Sequence, residues 1–141
     1  MKAIPAGNLL PMVCEYVTER AGMYMDPTMA QALIISKDNG DMVGAVIINT
    51  YRGFDCHISA VVETPLAWRM GVRLAIAQYV FGQLGCKRAT AITRIRNTKA
   101  RRALEAAGFS LEGKLRLGYD GKKDALVYGI LASECAYFKE V

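Results

Sequence analysis

Apolar residues change their spacing several times along the chain, and each change marks an element. Leu9, Leu10, Val13 and Val17 fall near one face at helical spacing, so residues 6–20 are expected to form a helix. Asp26-Pro27 reads as a second, short helix start, with the carboxylate as N-cap and the proline at the first helical position. Strand-like apolar runs follow in ALIIS (32–36) and MVGAVIIN (42–49). Asn39-Gly40 lies between them, a hairpin signal in which both central residues take positive φ. DCHISAVVE (55–63) predicts a third strand, ended by Pro65.

Helical spacing returns with Met70, Leu74, Ala77, Phe81 and Leu84, which predicts a helix over 69–84 closed by Gly85. KRATAITRI (87–95) alternates like a strand. NTKARRALEAAG (97–108) predicts a helix with Ala100, Ala103, Leu104 and Ala107 inward, Asn97 as N-cap and Gly108 at its end. FSLEGKLRLGY and DALVYGIL then form a hairpin turned by Asp120-Gly121, with Tyr119 and Tyr128 on its two strands. The order predicts an α/β fold over residues 1–141 as one domain. It would have a central mixed, mostly antiparallel sheet of about six strands flanked by about four helices. The strand–helix–strand unit from 55 to 95 implies a right-handed parallel crossover. It brings the start of the 69–84 helix beside the end of strand 55–63, where open α/β sheets bind ligands.

Composition narrows the function classes. The chain is 52% apolar, enough for a core, and no apolar run approaches the ~20 residues of a membrane span. The N-terminal segment, interrupted by Pro5 and Pro11, does not read as a signal peptide. Cys14, Cys56, Cys86 and Cys135 are scattered without metal spacing, so free, reduced, partly buried thiols in a cytoplasmic protein are expected, with no metal site. The net charge of +5 is concentrated: residues 87–116 hold nine basic and two acidic side chains. That field suits an anionic partner, but no recognition helix or basic-aromatic interleaving points to nucleic acid. His57 and its neighbour Cys56 face opposite sides of a strand, so they form no nucleophilic pair. Nucleotide-loop and nucleophile-elbow motifs are absent.

Several stretches in the second half resemble the GNAT acyltransferase superfamily, closest in style to members that acetylate ribosomal-protein N-termini. Val62-Glu63-Thr64-Pro65 followed by Gly71 keeps the spacing of that family's cofactor loop. AQYVFGQLGCKR (77–88), Asn97, Gly108-Phe109 and Glu112-Gly113 with Arg116 resemble its later motifs. The chain departs from the pattern at Trp68, Arg69, Arg73 and Leu104, the last standing where many members carry a thiolate-protonating Tyr.

The resemblance implies acetyl-CoA as acyl donor and an amine-bearing acceptor, small molecule or protein. It assigns the thioester to the backbone near Val61 and Val62, and the pyrophosphate to Trp68, Arg69, Met70, Gly71, Val72 and Arg73, with Arg73 as a phosphate clamp. Asn97 would meet the pantetheine arm, and Lys99, Arg101 and Arg102 the 3′-phosphate. Glu63 is the candidate base, Tyr119 and Tyr128 the candidate acids. A homodimer through the last strands is also implied. The departures leave open a second reading, a GNAT-shaped domain without catalysis that serves in assembly or binding.

Overall fold

The computed structural model describes residues 1–138. Seven strands form one sheet: β1 (Lys2–Pro5), β2 (Ala30–Ser36), β3 (Met42–Asn49), β4 (His57–Val62), β5 (Arg88–Arg94), β6 (Ser110–Leu115) and β7 (Ala125–Leu131). Three α-helices flank it: α1 (Leu10–Ala21), α2 (Met70–Ala77) and α3 (Thr98–Ala106). The strand order is β1-β2-β3-β4-β5-β7-β6. Every pair is antiparallel except β4 with β5.

Alternation along the strands sorts side chains onto two faces. Ala32, Ile34, Ala45 and Ile47 meet Val13, Cys14 and Val17 of α1. Leu33, Ile35, Val46, Ile48 and Ile58 meet Val72, Ile76, Val80 and Phe81 on the opposite side. Leu104 of α3 and Phe109 cover Ala91, Leu126 and Tyr128 on that same second face. Each fully buried Val or Ile contributes about 1.5–3 kcal/mol, against about 0–1 kcal/mol for an exposed ion pair. These layers, and not the surface charges, therefore determine the fold. All four cysteines are buried and free.

The elements depart from the sequence expectation where local geometry is unusual. β1 is a seventh strand; it is four residues long, sits at the sheet edge and ends at Pro5, too short to show a period. The helix expected after Asp26 is a single 3-10 turn, Pro27–Met29, capped by the Asp26 carboxylate on the Thr28 N–H at 2.9 Å. In the β2–β3 hairpin only Gly40 takes positive φ, at 93°. Lys37 and Gly40 close a three-residue loop, Lys37 N–H to the Asp41 carbonyl and Gly40 N–H to the Lys37 carbonyl.

The helix expected over 69–84 divides into α2 and a wider π-helical turn, Gln78–Gln83, where the Leu84 N–H reaches back to the Tyr79 carbonyl. The extra residue shifts the helical phase. Met70 and Leu74, expected inward, are exposed, and Val72 and Ile76 take the core.

Candidate active site

β4 and β5 are paired only at the start of β4, with His57 beside Thr90 and Ile58 beside Ala91 in the middle of β5. Ser59–Val62 have no partner on β5, so a gap opens between the C-terminal ends of the two strands. The Glu63 N–H donates to the Val43 carbonyl at 2.7 Å. The antiparallel alternation then turns the N–H groups of Ala60 and Val62 away from β3 and toward the gap. Val61 points its side chain into the α1 layer instead.

The segment after β4 is shaped by its own caps. Thr64 caps a 3-10 turn, Pro65–Trp68, and Arg69 is extended at φ −82°, ψ 170° before α2 begins. The first bond of α2 runs from the Arg73 N–H to the Arg69 carbonyl at 3.0 Å. The N–H groups of Met70, Gly71 and Val72 therefore lack an intrahelical acceptor. No side chain caps them and no acid lies in the first turn. Gly71 has open space where a Cβ would stand. Such a helix end offers donors and a positive dipole to an anion.

Two side chains of this loop turn inward. Trp68 donates through Nε1 to the Ala103 carbonyl at 3.1 Å and fastens the loop to α3. Arg73 donates through Nη1 to the Tyr137 hydroxyl at 2.8 Å, and its guanidinium lies 5.6 Å from the Tyr137 ring centre and 6.0 Å from that of Trp68. Its Nε is buried without an acceptor among the described residues. The side chain expected to clamp phosphate is thus engaged between two aromatic rings.

On α3, Asn97 caps the helix through Oδ1 on the Ala100 N–H at 3.1 Å. Its Nδ2 has no partner among the described residues. Lys99 and Arg102 are exposed. Arg101 is not free: its Nε donates to the Tyr128 hydroxyl at 3.1 Å and its Nη1 to the Ile95 carbonyl at 3.2 Å. Leu104 fills the apolar layer beneath α3.

The Tyr128 hydroxyl donates to Glu105 at 3.3 Å, and the residue is fully buried. That placement, underneath α3, removes it from the position of a proton donor to the gap. Tyr119 lies in the turn after β6, not on a strand.

Four elements converge on the α1 side of the gap. The Glu63 carboxylate accepts from the Tyr16 hydroxyl and, at 2.9 Å, from Arg20 Nε. The Arg20 guanidinium sits 3.7 Å from the Tyr16 ring centre. The Tyr16 hydrogen bond first, and then the Arg20 charge, hold the Glu63 carboxyl below the usual carboxylate range. Partial burial and the neighbouring carboxylate push the Tyr16 phenol up to about 12. The Tyr119 hydroxyl donates to the Ala21 carbonyl at the end of α1, and burial raises that phenol too. Arg94, the last residue of β5, places its guanidinium 5.5 Å from the Tyr119 ring centre. Ala89 and Ala91 face α2 and α3, so alternation puts Arg94 on the α1 side.

The structure therefore groups Val62, Trp68 and residues 70–73 with α3 around one mouth of the gap, and Glu63 and Tyr119 around the other. Tyr16, Arg20 and Arg94 also line the second mouth. Tyr16 and Arg20 are spaced i, i+4, a pattern visible in the sequence, but nothing local announces the Glu63 that completes the cluster.

Solved structures of known proteins share this fold. A variant of the spermidine N-acetyltransferase SpeG from Vibrio cholerae superposes with a TM-score of 0.76 at 14% identity, over 97% of this chain and 95% of that one. A chimera of the Vibrio cholerae enzyme and hSSAT gives a TM-score of 0.68 at 17% identity, over 79% and 72%. A GNAT-family acetyltransferase from Bacillus anthracis gives 0.60 at 22% identity, over 73% and 67%. These likenesses establish a shared fold. Among curated proteins none matches the chain in sequence. Residues 12–110 match the acetyltransferase (GNAT) domain family, and the chain belongs to that family.

Proposed function

We propose that the protein is an acetyl-CoA-dependent N-acetyltransferase that acts on a primary amine. The observation that carries this reading is the gap between β4 and β5, with three free N–H groups at the start of α2 beside it. The residues fit an acyl-CoA: the N–H groups of Met70, Gly71 and Val72 suit a pyrophosphate, and Gly71 leaves room for its approach. The Asn97 amide, through its unpartnered Nδ2, suits the pantetheine carbonyls, and exposed Lys99 and Arg102 suit the 3′-phosphate. Arg73 acts as a strut between Trp68 and Tyr137 in this reading. Bound acetyl-CoA supplies an activated acyl carbon and a thiolate leaving group.

The chain's own groups do the rest. The Val62 N–H is turned toward the gap and can donate to a thioester oxygen as charge develops there. Glu63, ionised through the neutral range, is a weak base. It suits accepting the proton after the attacking nitrogen has become cationic and acidic. Tyr119, kept protonated by its raised pKa, is the hydroxyl on the same side; to return a proton to sulfur it must give up its bond to the Ala21 carbonyl. The nitrogen–carbon bond forms, the carbon–sulfur bond breaks, and one proton passes from the amine to the thiol. The resemblance to ribosomal-protein acetyltransferases favours a protein α-amine, whereas the SpeG neighbours are named for spermidine.

A Glu63→Gln variant, assayed by thiol release from acetyl-CoA, tests the base. The expected loss in kcat is about a hundredfold, with donor KM unchanged. The wild-type rate should not fall on the acid side from this group until pH drops below the ordinary glutamate value, about 4.3. A variant with full activity removes Glu63 from the mechanism.

A further inference from the structure

We propose that the acceptor is a primary amine that also bears a carboxylate a few bonds from its nitrogen, with Arg94 as the group that reads the carboxylate. The inference rests on the acetyltransferase reading above and names its substrate class. Arg94 stands at the open end of β5, on the α1 side of the gap, held against the Tyr119 ring. It pairs with no carboxylate among the described residues. The acids of the β6–β7 connection and Glu63 are already committed. Asp120 accepts from the Lys122 and Lys123 N–H groups at 2.9 Å each. Asp124 accepts from the Leu117 N–H at 2.8 Å and faces Lys114 at 3.9 Å. Glu63 is shared between Tyr16 and Arg20.

The acceptor mouth therefore presents two guanidinium groups, Arg20 and Arg94, against one carboxylate. Its two poles have a chemical reading. Glu63 at the end of β4 faces the reacting nitrogen, and Arg94 at the end of β5 faces an anion. Guanidinium matches a carboxylate with two parallel hydrogen bonds, and its partial burial reduces screening. A polyamine has the opposite charge pattern. A second ammonium reaching toward the end of β5 would lie against Arg94, and like charges set together discriminate against such a ligand. The SpeG neighbours, at 14–17% identity, share the fold alone.

The test uses the full chain and matched amines. L-Alanine is compared with alaninamide, and the C-terminally blocked peptide Ala-Glu-Ala-amide with Ala-Gln-Ala-amide; spermidine is the fifth acceptor. Binding to CoA-saturated protein is measured by calorimetry, and acetylation by mass spectrometry. The carboxylate-bearing member of at least one pair should bind about tenfold or more tightly than its neutral partner. Discrimination in the amino-acid pair identifies a small-molecule acceptor, and in the peptide pair an acidic protein N-terminus. Arg94→Gln should erase the preference, and Arg94→Glu should turn it toward spermidine, both with unchanged affinity for acetyl-CoA. Spermidine used as well as the acids overturns the proposal. So does a preference that survives in Arg94→Gln, or a CoA-saturated protein that binds none of the five. Failure to bind acetyl-CoA itself is a separate result and removes the enclosing acetyltransferase reading.

Discussion

The Tyr128 hydroxyl has two partners on α3, Arg101 and Glu105, and no exposure. A strand tyrosine in the sequence carries no mark of the face it takes, because that depends on strand phase and on which helix covers it. Here β7 turns Tyr128 beneath α3, so the residue holds the helix down. Tyr128→Phe should lower stability by about 1 kcal/mol, read as a drop in Tm, while leaving the acetylation rate within twofold. A large fall in kcat at unchanged Tm would return Tyr128 to the chemistry. Glu63 shows the same limit from the other side. Its position at the end of a strand was plain in the sequence, but Tyr16 and Arg20 lie more than forty residues earlier. Their grip sets its charge state. The lowered folded pKa of Glu63 means that its contribution to the α1–β4 contact is present above the ordinary glutamate value and is lost as pH falls through the lower folded one. Tyr16 has the opposite sign. Its raised pKa makes its share of the contact complete below the ordinary tyrosine value, about 10, and lost as pH rises toward about 12.

Elements with a clean period were legible from the sequence. β2, β3, β5 and β7 fall within two residues of their expected bounds, and the Asn97 cap and the Gly108 stop lie where the residues indicated. Irregular elements were not. The π-helical turn after α2 moves the core face from Met70 and Leu74 to Val72 and Ile76, and no residue type in that stretch encodes the extra residue. The gap between β4 and β5 is equally silent, because it arises from pairing that stops and not from any composition of the strands. One residue tests how tightly β4 is held at the gap. Gly44 sits on β3, next to an irregularity in the β2–β3 register. A Cβ there would come within 2.6 Å of the Val61 carbonyl oxygen, which is backbone and cannot swing away. Gly44→Ala should destabilise the protein by roughly 1–3 kcal/mol. It should also weaken donor binding, because Val61 and Val62 must shift together. An alanine variant with wild-type Tm would contradict the close packing of these two strands.

At the scale of the whole molecule, a sheet that opens between β4 and β5 must be held together elsewhere. At the closed end, buried Asp55 receives Arg52 at 2.9 Å, Arg88 at 3.4 Å and the Thr90 hydroxyl at 3.1 Å, and Arg88 reaches on to Glu112 at 2.8 Å. At the open end two bridges cross the gap, one on each face: Trp68 to the Ala103 carbonyl, and Tyr119 to the Ala21 carbonyl. The two halves are thus pinned behind the site and spanned on both sides of it, which leaves a cleft with a defined width and two mouths. The positive charge of residues 87–116, which in the sequence suited any anion, is divided by the fold. Arg88 and Arg101 become internal struts, Arg94 lies against Tyr119 at the α1-side mouth of the gap, and Lys99 and Arg102 remain outside on α3. Trp68, a departure from the family pattern in sequence, proves to be one of the bridges. β6, the far edge strand, is exposed along its whole length. Its register irregularity near Glu112 and the charge of Lys114 disfavour open-ended strand addition there.

The central claim is that the start of α2 and the gap beside it hold acetyl-CoA, and calorimetric titration of the protein with acetyl-CoA tests it most directly, run beside a Met70→Pro variant. Position 70 is exposed and first in the helix, and Arg69 before it is already extended, so proline fits while removing one of the three N–H donors. One-to-one micromolar binding that weakens about tenfold in the variant at unchanged Tm is the predicted result. No binding at millimolar acetyl-CoA, or binding indifferent to the lost donor, would contradict the account.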